Sequence, residues 1–456
     1  MNIEYYAPFN RLSIEELYKA FFHNNGPKTH FSYEDGTIQI TINGQGYIEV
    51  VENQFEFKRF AYDVFSKFSG RSLPWGILTG VRPGKLVDRL RQENNNQVEI
   101  YDILTNDYMI NPSKAKLIVQ ISDLQEPYKN NLKIKKYCLY IHIPFCPSIC
   151  SYCSFTSTPI KGKESLLDPY INFLEHEIDS IIGYYNNTSI ESIYIGGGTP
   201  SVLSAKQINK LMEYLHRIFP KVSEITFEAG RVDTLDREKI NTIAMYSNRI
   251  SLNAQTSNTE TLKRIGRTHA FYDLEKSFFI AREAGIKTIN SDLIGGLPGE
   301  NISVFKKSLM DMDALKPENL TVHMLAVKKG AQLKSNYHYN NKDSNDYAQV
   351  AYEYVTDRGY LPYYLYRQKQ ILGNLENIGY SKDGHVNIYN IAMMEEVCDI
   401  IAVGAGSVSK VFDNRGRFDS FTNYRDITLY MSKFNDLLRN KKAWLSERRN
   451  LTLSDL

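Results

Sequence analysis

The first part of the chain carries two kinds of hydrophobic pattern. Two runs of alternating apolar and polar residues, Thr37–Ile42 and Tyr47–Val51, flank an Asn-Gly-Gln-Gly turn and predict a β-hairpin. Apolar residues then recur at helical spacing, for example through Phe57–Phe68 and Ser113–Leu124. These patterns predict a separate α+β module over residues 1–132.

Between residues 133 and 330, short apolar runs alternate with helical patterns. Six such βα repeats predict a parallel sheet with right-handed crossovers, either open or curled into a partial barrel. In both geometries, binding and catalytic residues gather at the carboxyl ends of the strands. The predicted strands are Cys138–Ile143, Glu191–Ile195, Glu224–Phe227, Arg249–Ala254, Thr288–Leu293 and Leu320–Leu325.

Residues 331–456 show a weaker pattern. They contain a tyrosine-rich stretch at 360–366, a glycine loop at 404–406 and a helical tail, with no internal repeat. We expect this region to be an α/β-helical extension that closes over the core and covers its substrate.

Composition and charge exclude several classes of protein. The 54 basic and 52 acidic residues give a formal net charge of +2, which offers no case for a nucleic-acid partner or an anionic membrane surface. No apolar run is long enough to span a membrane. The first residues lack the basic and apolar regions of a signal peptide, so a cytoplasmic location is expected.

Four of the five cysteines lie within sixteen residues, and three of them have the spacing Cys146-x3-Cys150-x2-Cys153. An odd, clustered set argues against a disulfide framework and favours a metal or redox cofactor. Three thiolates can bind three irons of a 4Fe-4S cluster and leave one iron open. A structural zinc ion is the alternative; it would require a fourth Cys or His at typical spacing, and the next such residue is His176. The other two cysteines, Cys138 and Cys398, are interpreted as structural, and His142 as a packing or hydrogen-bonding residue rather than a ligand.

Polar or glycine residues follow the next four predicted strands. The run Gly196-Gly-Gly-Thr-Pro200 ends the second, and Glu228, Gln255 and Asp292 lie at or near the ends of the third to fifth. Each residue alone is more often a cap or a loop residue, and the glycines alone favour an ordinary turn. Their common position is what a cofactor site on this architecture requires.

Together with the run Tyr140-Ile-His-Ile-Pro-Phe-Cys146, these motifs resemble the radical S-adenosylmethionine (SAM) superfamily. The resemblance implies an α/β fold built on a partial (β/α)6 barrel. It also implies a 4Fe-4S cluster whose open iron chelates SAM and an electron that cleaves SAM to methionine and a 5′-deoxyadenosyl radical. By the resemblance, the cluster ligands are Cys146, Cys150 and Cys153, and the SAM contacts are Tyr140, Gly197, Gly198, Thr199, Glu228, Gln255, Arg267 and Asp292.

Further motifs narrow the resemblance to the oxygen-independent coproporphyrinogen III oxidase group and its HemZ branch. They are Leu78–Pro83, Phe227–Arg231 and Tyr364–Lys369. The implied reaction is oxidative decarboxylation of coproporphyrinogen III to protoporphyrinogen IX. The implied partners are a tetrapyrrole and an electron donor such as a flavodoxin or ferredoxin. A substrate with several carboxylates predicts basic side chains near its pocket, and the candidates are Arg231, Arg367 and Lys369.

One position departs from this pattern. Dehydrogenases of the group carry a further cysteine two residues after the third, whereas this chain has Phe155. Haem-binding chaperones of the HemW type also have an aromatic residue there, so a chaperone with His385 or Tyr389 as haem ligand is an alternative. Another anaerobic radical reaction on a tetrapyrrole, such as haem degradation, is a further alternative. The sequence identifies no catalytic side chain.

Overall fold

The computed structural model describes residues 2–22, 26–80, 82–133, 136–186, 188–326, 331–335, 344–368, 371, 375–413 and 417–449. The chain divides into two compact units. The first comprises Met1–Asp123 and Leu365–Lys369, and the second comprises Leu124–Tyr364 and Gln370–Leu456. Within the part of the chain described, no helix is both long and apolar enough to cross a membrane.

The first unit is a four-stranded sheet packed against helices. Its strands are β1 (Ile3–Tyr6), β2 (Thr29–Glu34), β3 (Thr37–Ile42) and β4 (Gln45–Val50), in that spatial order. Its helices are α1 (Arg11–Phe22), α2 (Gln54–Ser69), α3 (Gly84–Gln92), α4 (Gln97–Asp102) and α5 (Pro112–Leu132), which continues into the second unit. A π-helical turn, Ile103–Asp107, follows α4. The antiparallel pairing of β3 with β4 confirms the predicted hairpin.

The helix α2 shows why this unit folds as it does. The side chain of Asn53 accepts hydrogen bonds from the Phe55 and Glu56 amides and caps the amino end. Gly70 ends the helix with a φ of 67°, a conformation that suits glycine. Between these ends, buried aromatic residues including Phe57 and Phe65 pack onto the sheet. Their spacing is the helical pattern of apolar residues along Phe57–Phe68.

The second unit contains an eleven-stranded sheet. Its strands, with the two-stranded pair β6–β7, are β5 (Lys136–Ile143), β6 (Phe145–Cys146), β7 (Thr158–Pro159), β8 (Ser189–Gly197), β9 (Glu224–Glu228), β10 (Arg249–Ser251), β11 (Thr288–Gly295), β12 (Asn319–Met324), β13 (Leu361–Tyr366), β14 (Asn377–Ser381), β15 (Asp399–Val403), β16 (Val408–Phe412) and β17 (Phe418–Thr422). Its helices are α6 (Leu167–Ile181), α7 (Ala205–Ile218), α8 (Arg237–Ala244), α9 (Thr259–Arg264), α10 (Phe271–Glu283), α11 (Ile302–Leu315), α12 (Ser344–Thr356), α13 (Ile388–Glu395), α14 (Ile427–Ser432) and α15 (Phe434–Arg449).

All six predicted strands are present and parallel. They lie in the order β12, β11, β10, β9, β8 and β5, so each strand neighbours the next one along the chain. The sheet does not close, because β12 pairs with β14 on its outer side and β5 pairs with β15. The prediction of an α/β partial barrel is confirmed.

The two faces of this parallel sheet differ in chemistry. One face carries buried apolar residues such as Ile141, Ile195 and Phe227, which pack under the helices. On the other face, neighbouring strands align polar or aromatic residues, as in the pair Tyr194 and Thr226. Because side chains alternate along a strand, every second residue of the core strands lines the interior of the partial barrel. This interior is polar.

Strand β15 is a seventh parallel strand that the sequence analysis does not predict. It pairs with β5 from Tyr137 opposite Asp399 to Ile141 opposite Val403. All five of its residues are buried. A strand buried on both faces reads as a short continuous apolar run, which periodicity alone does not distinguish from a segment of buried helix.

A buried ion pair holds the chain after β15 in place. The Nζ atom of Lys441 on α15 lies 2.7 Å from Oε1 of Glu177 on α6, and both side chains are 0% exposed. Glu177 also accepts hydrogen bonds from Nδ2 of Asn423, the hydroxyl of Tyr430 and the amide of Gly404. The carboxylate therefore joins α6, α14, α15 and the loop that follows β15.

Candidate metal and cofactor site

The three cysteines lie on the loop that follows β5. Strand β6, which contains Cys146, pairs with β7, and the Ile160 amide bonds to the Cys146 carbonyl at 2.9 Å. The Cys153 amide bonds to the Cys150 carbonyl at 3.0 Å. Cys146 and Cys150 are each 8% exposed, whereas Cys153 is half-buried. The loop is thus ordered by its own backbone, with one cysteine nearer to solvent than the other two.

Each thiol has a hydrogen-bond donor near its sulfur. Oγ1 of Thr199 lies 3.5 Å from Sγ of Cys146, and Nη1 of Arg231 lies 3.8 Å from Sγ of Cys150. Burial raises the pKa of the Cys153 thiol, and a hydrogen bond from the Phe155 backbone opposes that rise. Donors aimed at sulfur stabilise thiolates and tune the potential of an iron–sulfur cluster. The donor set therefore fits the expected 4Fe-4S group.

The glycine run beside this loop leaves no space for side chains. A Cβ atom on Gly198 would lie 2.6 Å from the Phe145 carbonyl oxygen and 2.9 Å from Sγ of Cys146. Gly197 has a φ of 116°, in a region that L-residues rarely adopt. The end of β8 can therefore approach the cysteines this closely only with glycine at these positions.

The cysteines do not form a site for a single ion. Among the described residues, no three His, Cys, Asp or Glu side chains converge on one point that could hold a metal ion. A four-iron cluster takes one thiolate per iron, so its ligands need no such convergence.

Two carboxyl groups that the resemblance assigns to SAM line the polar interior: Glu228 at the carboxyl end of β9, and Asp292 three residues before the end of β11. Burial raises the pKa of Glu228 to about 8, and the neighbouring charge of Asp292 adds to this rise. Burial would also raise the pKa of Asp292, but hydrogen bonds from His323, Asn290 and Thr321 outweigh it and lower that pKa. At neutral pH the pair therefore holds one proton, on Glu228, and one negative charge, on Asp292.

Gln255 occupies a strained backbone position between the strand ends. Its φ of 65° lies in the left-handed region, which is uncommon for a residue with a side chain. Its amide donates to the Asp292 carbonyl at 2.7 Å, and its Oε1 accepts from the Tyr152 hydroxyl at 3.0 Å. Gln255 thus links the cysteine loop, through Tyr152, to the residues that line the barrel interior.

Arg267 lies beneath the same loop and is buried. Its Nη1 donates to the carbonyls of Gly230 and Asn253 at 3.0 and 2.8 Å, and Nη2 lies 3.4 Å from the Tyr152 hydroxyl. Among the described residues its Nε finds no hydrogen-bond partner, and no carboxylate pairs with the guanidinium. A buried arginine in this state suits an incoming carboxylate.

Tyr140 lies within a group of aromatic rings inside the barrel. The Tyr389 ring is stacked on both Tyr140 and Tyr194, with centroids 5.8 and 4.7 Å away. The Tyr140 hydroxyl lies 3.4 Å from Nδ1 of His142, whose pKa burial lowers to about 4. Tyr389, a candidate haem ligand in the sequence analysis, is 5% exposed and part of this packing. The other candidate, His385, shares a hydrogen bond of 2.8 Å with Thr288 at the start of β11, the end of the strand opposite Asp292.

The structure places the predicted carboxylate-binding residues elsewhere. Arg231 is buried, pairs with both oxygens of Asp233 at 3.0 and 2.6 Å, and bonds to Ser148 on the cysteine loop. Arg367 belongs to the first unit, where it donates to the Leu78 carbonyl and lies over the Trp75 ring. Lys369 lies outside the described residues. Neither described arginine is free to meet a substrate carboxylate.

Sequence reasoning missed several residues of the site. Asp233 holds Arg231, Tyr152 links Arg267 to Gln255, and His323 lies 3.7 Å from Asp292. The signal that could have found His323 is alternation, because His323 is two residues after Thr321 on β12 and faces the same side. Asp233 and Tyr152 lie in loops, where no periodicity marks a position.

Comparisons with known proteins agree with this geometry. A family model described as the radical SAM superfamily matches residues 140–312. The oxygen-independent coproporphyrinogen-III oxidase-like protein HemZ of Bacillus subtilis is 38% identical over 392 residues, which cover 83% of this chain and 78% of that protein. The heme chaperone HemW of Bacillus subtilis is 37% identical over 193 residues, covering 41% of this chain and 50% of that protein.

A solved structure shares the fold. The coproporphyrinogen III oxidase HemN from Escherichia coli, described as a radical SAM enzyme, superposes with a TM-score of 0.54. The alignment covers 69% of this chain and 72% of that one, at 22% identity. At this identity the likeness concerns the fold alone.

Proposed function

This chain belongs to the radical SAM superfamily, in the group that contains the oxygen-independent coproporphyrinogen III oxidase-like proteins, and on that premise we propose that it oxidatively decarboxylates coproporphyrinogen III to protoporphyrinogen IX. In each of two propionate side chains, the carbon next to the ring would lose a hydrogen atom. Loss of CO2 and of one electron to an external acceptor would then leave a vinyl group. Atoms and electrons balance without a side-chain base.

Cys146, Cys150 and Cys153 would hold the 4Fe-4S cluster, and the polar ends of β8 to β11 would hold SAM. With both groups bound, the chemistry they supply is hydrogen-atom abstraction by a 5′-deoxyadenosyl radical. Arg267 would bind the carboxylate of SAM, since its guanidinium has no carboxylate partner among the residues described. Asp292 would supply a negative charge to a cationic ligand, and Glu228 would hold a proton until that ligand binds.

One observation carries the proposal over its alternatives. The similarity to HemZ of Bacillus subtilis is 38% identity over 83% of this chain, whereas the similarity to HemW is 37% over 41% of this chain for the Bacillus subtilis protein and 29% over 64% for the Escherichia coli protein. The placement of Tyr389 also favours an enzyme, because its ring is buried and stacked on Tyr194 inside the barrel and is not presented to haem.

The test is anaerobic turnover. The protein is reconstituted with iron and sulfide and supplied with SAM, a strong reductant and coproporphyrinogen III. We expect CO2 and a divinyl product in proportion to 5′-deoxyadenosine. The control is Cys398→Ala, which removes a cysteine outside the Cys-x3-Cys-x2-Cys motif, against Cys150→Ala, which should lose iron and all turnover. Formation of 5′-deoxyadenosine without decarboxylated product would contradict the proposal.

The second candidate function is a haem chaperone. It is favoured by the 37% identity to HemW and by the aromatic residue at position 155. It predicts stoichiometric haem uptake without turnover and a loss of that uptake in His385→Ala or Tyr389→Phe. Transfer of a SAM-derived methyl group to haem in the same assay would instead indicate a haem-degrading enzyme.

A further inference from the structure

Residues 385–390 of the C-terminal region enter the barrel at the amino-terminal mouth, the edge along which its parallel strands begin. Arg249, the first residue of β10, donates from Nη2 to the His385 carbonyl at 3.0 Å and from Nη1 to the Val386 carbonyl at 3.2 Å. The His385 ring shares a hydrogen bond of 2.8 Å with Thr288, the first residue of β11. These contacts hold the segment at the end of the barrel remote from the cysteine loop, which follows the carboxyl end of β5.

Strand β9 binds the first turn of helix α13, which begins in this segment. The two oxygens of the Glu224 carboxylate, at the start of β9, accept hydrogen bonds from the Ile388 and Tyr389 amides at 3.0 and 3.1 Å. Nδ2 of Asn387, the N-cap of α13, donates to Oγ1 of Thr226 at 3.0 Å. A carboxylate at the free amides of a first helical turn is stabilising. The barrel itself therefore fixes the position from which the Tyr389 side chain projects.

The Tyr389 ring is buried against two tyrosines of the core strands. Tyr140 on β5 and Tyr194 on β8 are directly opposite each other, with ring centroids 6.1 Å apart. The Tyr389 ring is stacked on both, at 5.8 Å and 18° from Tyr140 and at 4.7 Å and 27° from Tyr194. We call Tyr140, Tyr194 and Tyr389 the tyrosine layer. Two of its rings belong to the sheet, and the third is supplied by the C-terminal region.

The tyrosine layer lies directly below a residue that the resemblance assigns to SAM. Tyr194 pairs with Thr226, two residues before Glu228 on β9. A Cβ atom on Gly196 would lie 2.6 Å from Oε2 of Glu228 and 2.8 Å from Cε1 of Tyr194, so the carboxyl group and the ring meet at this glycine. Burial raises the pKa of all three phenols, and the charge of Glu228 adds to the rise in each. The layer is therefore an uncharged floor beneath the carboxyl group.

We propose that Tyr389 is a positioning residue of the SAM site, inserted by the C-terminal region through the amino-terminal mouth to hold the Tyr140 and Tyr194 rings in place beneath SAM. The proposal rests on the proposed function only in that the polar strand ends bind SAM. Residues that contact a ligand keep their geometry when the side chains behind them are packed. Removal of the Tyr389 ring would leave a cavity into which both neighbouring rings could move. Tyr389 thus acts through its neighbours, and the resemblance assigns it no contact with SAM.

The test compares four variants of the reconstituted holoprotein with the wild type. Tyr389→Leu removes the ring, Tyr389→Phe keeps it, and Thr226→Val removes the hydrogen bond from Asn387. The matched control is Tyr185→Leu, which removes another buried ring, stacked against Tyr137 with centroids 4.5 Å apart and bonded to Asp399 outside the barrel interior.

Two measurements report on the SAM site. Anaerobic equilibrium dialysis with radiolabelled SAM gives the dissociation constant for the oxidised holoprotein. EPR of the reduced cluster records the change of spectrum that SAM causes. Iron content and thermal unfolding are determined for every variant, so that a loss of SAM binding can be separated from a loss of folded protein.

We expect Tyr389→Leu to bind SAM at least about ten-fold more weakly and Thr226→Val about two- to five-fold more weakly, both with wild-type iron content. In both, the EPR change should require correspondingly more SAM. Tyr389→Phe should behave as the wild type. Tyr185→Leu should lose thermal stability and bind SAM as the wild type does.

Three results would overturn the proposal. The first is wild-type SAM binding in Tyr389→Leu, or in Thr226→Val if Tyr389→Leu does not fold. The second is a loss in Tyr389→Phe as large as that in Tyr389→Leu, and the third is an equal loss in Tyr185→Leu. Neither measurement requires a tetrapyrrole, so failure here is distinct from failure of decarboxylation.

Discussion

The buried ion pair between Glu177 and Lys441 gives a quantitative prediction. Both side chains are fully buried, and Lys441 also donates to the Ala402 carbonyl at 2.5 Å. The change Lys441→Met leaves the Glu177 carboxylate in the interior with neutral donors alone. Removing one partner of a buried pair lowers the free energy of unfolding by about 3–5 kcal/mol. For a unit of roughly 330 residues, this corresponds to a fall in Tm of about 4–7 °C.

The assay can follow the ion pair locally. The chain has two tryptophans, and Trp444 lies on α15 three residues after Lys441, with its indole N–H 3.1 Å from Asp419. In a Trp75→Phe background, fluorescence reports the second unit alone. Thermal unfolding at pH 7 is compared among four proteins without cluster: the background, Lys441→Met, Glu177→Gln and the double variant.

The double variant is the critical comparison. It removes both charges, so it should be more stable than Lys441→Met by about 2 kcal/mol or more. Two results would refute the reasoning. One is a loss below about 1 kcal/mol for Lys441→Met, and the other is a double variant whose loss equals the sum of the two single losses.

Three further predictions concern the candidate site. The pKa of Glu228 is about 8 in the folded protein, against an ordinary value of 4.5. Between these pH values the native state binds a proton that the unfolded state does not, so the free energy of unfolding falls as pH rises. Glu228→Gln should remove about 2–5 kcal/mol of this pH dependence, and pH profiles identical to those of the wild type would contradict the assignment. Gly198→Ala should cut the iron content after reconstitution to less than about half, because its Cβ would lie 2.9 Å from Sγ of Cys146, whereas Gly80→Ala, with open space around it, should not. Arg231→Lys should shift the cluster to a more negative reduction potential in an EPR-monitored titration, because a single ammonium lacks the planar fork that spans Asp233 and Cys150. An unchanged potential would show that the contact with Cys150 is not made in solution.

The parallel core could be predicted because its signals are local. Each strand is a short apolar or alternating run bounded by turn residues, and each helix between strands shows its own period. The motif formed by Cys146, Cys150 and Cys153 is recognisable from spacing alone. The polar residues at strand ends were predictable as a group, since parallel strands place their carboxyl ends along one edge.

The remaining features depend on contacts distant in sequence. Strand β15 is identified by its pairing with β5, because a short apolar run such as Asp399–Val403 fits a buried strand and a segment of buried helix equally well. Arg231 was predicted to meet a substrate carboxylate, but Asp233 and the cysteine loop already occupy its guanidinium. The left-handed φ of Gln255 is likewise set by tertiary hydrogen bonds and not by the residue type.

The pairing of β5 with β15 has a consequence for biosynthesis. The two strands are separated by more than 250 residues, so β5 leaves the ribosome long before its second neighbour is made. At about 5–20 residues per second, the interval is roughly 13–50 s. During that time the outer edge of β5 is unpaired, and Gly404 does not yet pack against the carbonyl of His142, which Tyr170 alone covers among the residues described. While the chain is being synthesised, the cysteine loop therefore lacks the contacts that β15 and the loop after it provide. We expect the cluster to be loaded after the complete chain has been released.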